Sequence, residues 1–195
     1  MKDKIPWITF SSISFLENFL EKGMKVFEYG LGGSTLFFLN HTGVVVSVEH
    51  NEHWFHSADE YISKENNNRN LKRFLIEPEH TESISDKGDI SLFNYASSNE
   101  EYRGKTFHKY VTKIDEFPDS FFDVILIDGR SRPACFFHSE RKIKEGGIII
   151  WDNTERERYQ EAIRRASKTL KLRDFPGPSP YVSFFTKTSI WKRIQ

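Results

Sequence analysis

Three glycines within four positions, Gly30, Gly32 and Gly33, constrain this chain more than any other feature. They follow the short apolar run from Met24 to Tyr29 and precede Ser34-Thr35 and Leu36-Phe37-Phe38-Leu39. Glycines packed this closely after a strand let the backbone turn sharply and approach a ligand, because no Cβ stands in the way. Ser34 or Thr35 can then cap a helix whose first amides face that ligand. A second strand, Val44-Val45-Val46-Ser47-Val48, ends in Glu49, which follows Gly30 by 19 residues. At about this spacing an acid accepts hydrogen bonds from a ribose diol. Strand, glycine loop, helix, strand and acid together describe a site for a nucleoside-bearing cofactor. His50, directly after the acid, is placed to lie along the adenosine.

Glu28 bears on which cofactor this is. A carboxylate just before the first glycine repels a pyrophosphate, whereas a cationic sulfonium with an amino-acid tail favours one. The pattern Glu28-Tyr29-Gly30-Leu31-Gly32-Gly33-Ser34-Thr35, followed by Val46-Ser47-Val48-Glu49-His50, resembles the first two motifs of the class I S-adenosylmethionine-dependent methyltransferases. The third glycine of the usual family pattern falls on Ser34. The resemblance implies an α/β fold, a doubly wound and mostly parallel seven-stranded sheet with helices on both faces and a C-terminal antiparallel hairpin. It also implies a cofactor site made by Glu28, Gly30, Gly32, Gly33, Ser34, Thr35, Glu49 and His50.

The rest of the chain fits that frame. Its 195 residues are the length of one domain, here 1–195, with a helical lead-in over 1–23. Ser11 or Ser12 is expected to cap a helix through about Glu21, with Ile13, Leu16, Phe19 and Leu20 on one face. This helix covers a sheet edge, or else Trp7 and Phe10 wall the cleft. A helix follows Glu49; of His50, His53 and His56, two lie three apart on one helix turn and invite a metal reading, but such a site needs a third ligand and a second shell, and the other reading is a partly solvated helix. Leu71 to Glu77 alternates as a third strand. The irregular segment 79–109, with Ile84, Ile90, Leu92, Phe93, Tyr95, Tyr102 and Phe107, falls where open α/β sheets bind ligands. It reads as a substrate-side insert, with Tyr95 and Tyr102 as its substrate contacts, or as a surface excursion.

Phe121 to Asp128 is a near-continuous apolar run, as expected of a parallel strand buried on both faces. It ends in Asp128-Gly129-Arg130-Ser131-Arg132, and a helix is expected from there through about Lys142. Gly146-Gly147 turns into a fifth strand ending in Trp151-Asp152-Asn153. A helix with Tyr159, Ala162, Ile163, Ala166 and Leu170 on one face, a sixth strand over Leu170 to Phe175, and a closing β-element from Tyr181–Phe185 with Ser189–Lys192 complete the expectation.

Methyl transfer to an alcohol needs a base or a metal that lowers the hydroxyl pKa. Asp128 and Asp152 are the carboxylates that the fold delivers to the cleft mouth. Asp128, Asp152 and Asn153 also resemble the metal set of the cation-dependent catechol-type O-methyltransferases, which would hold Mg²⁺; where those enzymes carry a second acid, Gly129-Arg130 stands. Alternatively, Asp128 is a lone base and Asp152-Asn153 caps the next helix. Arg130 and Arg132 either hold an anionic substrate group or pair with the acids and fix the loop.

Composition narrows the partners. Lys plus Arg and Asp plus Glu are equal at 28 each, so no basic excess marks a nucleic-acid binder. A single cysteine, Cys135, excludes an intramolecular disulfide and suits a reducing compartment. It sits in an apolar run as a small buried hydrophobe. No apolar run approaches a membrane span and no signal-type segment opens the chain, so the expectation is cytoplasmic. Nothing in the sequence excludes a homodimer. The reading is an S-adenosylmethionine-dependent O-methyltransferase acting on a small-molecule or sugar-like (glycan) acceptor. The alternatives are an NAD(P)-dependent oxidoreductase, disfavoured by Glu28, and a non-catalytic nucleotide-binding domain.

Overall fold

The computed structural model describes residues 3–65, 68–82 and 94–194. Ile84, Ile90, Leu92 and Phe93 of the expected insert lie outside the described residues. The chain runs α1 (Phe10–Phe19), β1 (Lys25–Tyr29), α2 (Gly33–His41), β2 (Val44–Glu49), α3 (Glu52–Ser63), β3 (Leu71–Leu75), β4 (Glu79–His80), β5 (Lys105–Thr106), α4 (His108–Thr112), β6 (Phe122–Ile127), α5 (Arg132–Ser139), β7 (Ile143–Trp151), α6 (Gln160–Arg164), β8 (Leu170–Gly177) and β9 (Thr186–Arg193).

Seven strands form one sheet in the order β3-β2-β1-β6-β7-β9-β8. The first five are parallel, and β9 runs antiparallel between β7 and β8. This is the mostly parallel sheet with a closing antiparallel hairpin that the resemblance implies. The chain order reverses beside β1, between β1 and β6, and it is there that open sheets of this kind leave a crevice at the carboxyl ends of their strands.

Alternation along the central strands sorts the core into two layers. Phe27, Tyr29, Val46, Val48, Ile125, Ile127, Ile149 and Trp151 pack on the α4–α5–α6 face. Val26, Val45, Val124, Leu126, Ile148 and Ile150 pack on the α1–α2–α3 face. Cys135 is buried in the first layer.

Three elements differ from the sequence expectation. The helix predicted from Tyr159 to Leu170 is only α6, preceded by a 3₁₀ turn over Glu157–Tyr159. Of its periodic face only Tyr159 and Ala162 are fully buried, so packing supports little more than one turn. Tyr181–Phe185 is not strand but a loop between β8 and β9, with Tyr181 in the left-handed region at φ 64°. Its aromatic content reads as β-propensity, yet Tyr181, Phe184 and Phe185 are all exposed. Thr9, rather than Ser11 or Ser12, takes the N-cap position of the first helix, and its side chain does not cap: the hydroxyl is tied instead to the Phe175 carbonyl and the Ser12 hydroxyl.

Candidate active site

The carboxyl ends of β1, β2, β6 and β7 open on one cleft of about 900 Å³. Adjacent backbones bring these ends to one level: Gly30 N–H donates to the Val48 carbonyl (2.8 Å), Asp128 N–H to Tyr29 (3.3 Å) and Asp152 N–H to Ile127 (3.2 Å). The acids after β6 and β7 therefore stand beside the glycine loop.

The glycines of that loop do different work. Gly30 has φ +124°, a conformation that side chains resist. Gly33 begins α2 beneath the N-terminal segment, and a Cβ there would meet the Ile5 carbonyl oxygen at 2.5 Å. Gly30, Gly32, Gly33 and Ser34 line the cleft. Glu28 and Thr35 do not, which corrects their assignment as cofactor contacts. Glu28 is fully buried on the α1–α2–α3 face, where Ser34 Oγ (2.8 Å), Ser47 Oγ (2.5 Å) and Thr35 Oγ1 all donate to its carboxylate. Thr35 Oγ1 in turn accepts from Gly32 N–H at 3.0 Å. Gly32 takes the N-cap position, Ser34 and Thr35 stand inside the first turn of α2, and Thr35 caps it from N3 by accepting the Gly32 N–H. Through them Glu28 holds the loop from behind. Burial pushes the Glu28 carboxyl up to about 7 against the opposing hydrogen bonds from Ser47, Thr35 and Ser34.

Glu49 does face the cleft. Its Oε1 accepts from the backbone N–H groups of His50 (2.7 Å) and Asn51 (2.9 Å) and lies 2.8 Å from His50 Nδ1. Oε2 accepts only a longer bond from Leu31 N–H, at 3.2 Å. Burial would raise its pKa, but the bonds and charge from His50 and the two amides outweigh that and leave it lowered. Glu49 is therefore an ionised acceptor with capacity left on Oε2. His50, beside Tyr102 (ring centroids 5.4 Å) and Phe107 (5.6 Å), lies next to it in the cleft. Asn51, whose side chain caps α3 by accepting from Trp54 N–H (2.7 Å), lines the same wall. This donor and acceptor set has the chemistry that a ribose diol requires.

At the other end, one guanidinium organises two acids. Arg132 Nη2 lies 3.0 Å from Asp128 Oδ1 and donates to the Asp128 carbonyl at 2.8 Å. Its Nη1 donates to the Asp152 carbonyl (2.6 Å) and Asn153 Oδ1 (3.2 Å) and lies 3.8 Å from Asp152 Oδ2. Nε donates to Gly129, at 3.0 Å. Asn153, in the left-handed region at φ 58°, also accepts from Arg156 Nη2 at 2.6 Å. Asp152 Oδ1 accepts from the Thr188 hydroxyl at 2.8 Å. Burial and the neighbouring Asp128 charge push Asp152 up to about 7, and burial raises Asp128 against the pull of Arg132, Arg156 and Arg130.

This geometry corrects the metal expectation. Where the ligand set would converge on Mg²⁺, Arg132 sits between the acids and, with Arg156, takes up Asn153 Oδ1. Placing a divalent cation beside that guanidinium would set two positive charges against each other. Asp128, Asp152 and Asn153 as arranged do not fit the ion. Among the described residues, no group of three or more His, Cys, Asp or Glu side chains is placed to hold one.

Of the other predicted contacts, Tyr102 and Arg130 line the cleft, with the Arg130 guanidinium 5.6 Å from the Tyr102 ring. Tyr95 does not. Its hydroxyl lies 3.2 Å from His138 Nε2 and its ring packs on His108, because α4 and α5 offer it a half-buried aromatic seat. Trp7 lines the cleft and Phe10 does not. Sequence reasoning missed Trp54, Arg156, Glu101 and the aromatic part of the loop between β8 and β9, Tyr181–Phe185, which reads as strand. Pro176-Gly177-Pro178-Ser179-Pro180 reads as a loop, and Pro178 to Pro180 is one, while β8 runs on through Gly177.

No protein-family model matches this sequence, and comparison with curated proteins gives no significant match. Solved structures are similar in fold. The O-methyltransferase from Bacillus cereus in complex with SAH shares 17% identity over 88% of this chain and 74% of its own, with TM-score 0.60. The rRNA methylase from Streptococcus thermophilus shares 11% over 95% of both chains, with TM-score 0.61. The SAM-dependent O-methyltransferase from Thermotoga maritima shares 12% over 100% of this chain and 69% of its own, with TM-score 0.62.

Proposed function

We propose, on the premise that this chain has the fold of the class I S-adenosylmethionine-dependent methyltransferases, that it methylates a hydroxyl oxygen of a small-molecule or glycan acceptor without a divalent cation. One observation carries the reading. The glycine loop with Glu49 and the acid pair Asp128–Asp152 open on the same cleft, at the strand ends where this fold binds its ligands. The likeness to structures that hold SAH or are described as O-methyltransferases supports it.

When bound, S-adenosylmethionine supplies a methyl group already activated on a sulfonium. The protein then has to bind, orient and deprotonate. Glu49, ionised and with Oε2 open to a further donor, holds the ribose; the backbone of the glycine loop takes the amino-acid end. Asp152, with its carboxyl near 7, is matched to accept a hydroxyl proton at neutral pH. Arg132 and Thr188 fix its orientation. Asp128, 30% exposed on its side chain, stands closer to solvent than Asp152. No helix among the described residues is long and apolar enough to cross a membrane.

Calorimetric titration with S-adenosylmethionine, S-adenosylhomocysteine and NAD⁺ tests the assignment. Binding is expected for the first two and not for NAD⁺. Glu49→Ala is expected to weaken S-adenosylmethionine by about 1–3 kcal/mol, the scale of losing a charged acceptor. NAD⁺ binding with no response to either adenosyl compound would overturn the proposal.

A further inference from the structure

The cleft has an apolar wall that the cofactor set leaves unused. Trp7, Trp54, Tyr181, Val182 and Phe184 all line it, yet each keeps between 36% and 63% of its surface exposed. The Trp7 ring lies 6.3 Å from Trp54 and 5.1 Å from Tyr181, centroid to centroid. Exposed rings gathered in a concave site, rather than scattered over a surface, mark a place that a ligand covers.

The wall is also held in place before any ligand arrives. Trp54 Nε1 donates to the Leu31 carbonyl at 2.5 Å, tying the ring to the glycine loop. The loop carrying Tyr181 and Phe184 is fastened by Phe10 N–H to the Pro178 carbonyl (3.0 Å), by Thr186 Oγ1 to Ser179 Oγ (3.3 Å) and by the Tyr181 hydroxyl to Asp3. Trp54 and Tyr181, positioned this way, bind at a lower ordering cost.

The same cleft carries a hydrogen-bonding set beyond the glycine loop: Glu101, Tyr102, Arg130, Asn153, Glu155 and Arg156. Rings joined to acids, an amide and arginines select a particular chemistry. A flat aromatic acceptor wants apolar surface on both faces and few polar groups at its edge. A nucleic-acid strand would bring phosphates against Glu101 and Glu155, on a chain of formal net charge zero. A pyranose meets both demands. Its C–H face carries slight positive charge toward the negative face of an aromatic ring, and its hydroxyls need donors and acceptors around the edge.

We propose that this wall is the acceptor subsite and that the acceptor is a pyranose sugar, free or at the end of a glycan. The C–H face lies against Trp7, Tyr181 and Phe184, and the hydroxyls are read by the polar set. This inference rests on the methyltransferase reading for calling the sugar an acceptor, and its test separates the two.

Saturation-transfer NMR is run on protein first titrated with S-adenosylhomocysteine by calorimetry. The panel is the methyl glycosides of glucose, galactose and mannose, a disaccharide, catechol and a short single-stranded RNA. At least one glycoside is expected to receive saturation, strongest on its ring C–H protons, and a stronger disaccharide signal points to a glycan end. Trp7→Ala and Phe184→Ala are each expected to weaken that glycoside about tenfold, the scale of one stacked ring, while Trp7→Phe keeps most of the affinity. S-adenosylhomocysteine affinity is expected to stay unchanged in Phe184→Ala. No glycoside signal from protein that binds S-adenosylhomocysteine overturns the inference and leaves the cofactor assignment standing. So does binding of catechol or RNA in place of the glycosides, or a glycoside affinity indifferent to both alanine variants. Protein that ignores S-adenosylhomocysteine yet binds a glycoside through Trp7 and Phe184 overturns the methyltransferase reading and supports the sugar site.

Discussion

At the glycine-loop end of the cleft, Glu28 is held by three hydroxyls and Glu49 by backbone amides and an imidazole, whereas at the β6–β7 end Asp128 and Asp152 share one guanidinium. Hydroxyls satisfy the lone pairs of a buried carboxylate without offsetting its charge, and Glu28 rises to about 7. A guanidinium offsets charge, but here it is divided between two acids and stands nearer to Asp128. Asp152, the more buried, also rises to about 7. The loop end is held in one shape by hydroxyls and amides; under the proposed function the acid end is where a proton is exchanged.

The largest effect expected from breaking this arrangement is structural. Arg132→Met leaves two cleft carboxylates without their shared cation and is expected to cost about 3–5 kcal/mol of stability in urea denaturation. Adding Asp152→Asn to that variant should recover a good part of the loss. Full stability of Arg132→Met alone would show that the guanidinium does not organise the acids. Next comes catalysis. Asp152→Asn keeps an oxygen for the Thr188 hydroxyl but removes the base, and turnover is expected to fall at least about 100-fold with S-adenosylmethionine affinity unchanged. In the wild type, turnover should rise with pH through about 7, as Asp152 loses its proton.

Glu28 predicts a smaller effect with a definite sign. Its folded pKa is raised from 4.5 to about 7, so the native state binds more protons than the unfolded chain between those values. Stability is full below pH 4.5, declines as pH rises toward 7, and is level above it, a loss on the order of 3 kcal/mol. Glu28→Gln should flatten part of that decline in denaturation curves at pH 5, 6 and 7; an identical pH slope would place the carboxyl in its ordinary range. The smallest expected effect is none. Excess chelator should leave turnover unchanged, and activity lost to chelator and restored by Mg²⁺ would reinstate the metal against the geometry.

Much of this was legible in the sequence because the signals are local. Val44–Val48 and Phe122–Ile127 announce parallel strands by near-continuous apolar runs, and Glu49 stands at the spacing a ribose acid needs. The orientation of Glu28 was legible too, but was passed over. Strand residues alternate, so with Phe27 and Tyr29 on one face Glu28 shares the other with Val26, behind the loop and out of the cleft. What could not be read was long-range. That Arg132 reaches Asp152, 20 residues on, depends on how α5 sits between β6 and β7. That Tyr95 turns toward His138 and Tyr102 toward His50 depends on packing that periodicity does not encode.

The fastening of the lead-in also bears on the order in which the molecule assembles. Thr9 N–H donates to Thr188 Oγ1 and Thr9 Oγ1 to the Phe175 carbonyl, contacts that span 179 and 166 residues. The pairing of β1 with β2 needs only neighbouring chain, whereas these bonds of the α1 segment wait for the β8–β9 hairpin. During synthesis α1 emerges long before that hairpin, so its docking there comes late in folding. Docking α1 also brings the Ile5 carbonyl down on Gly33, so the glycine loop receives its final support only as folding closes.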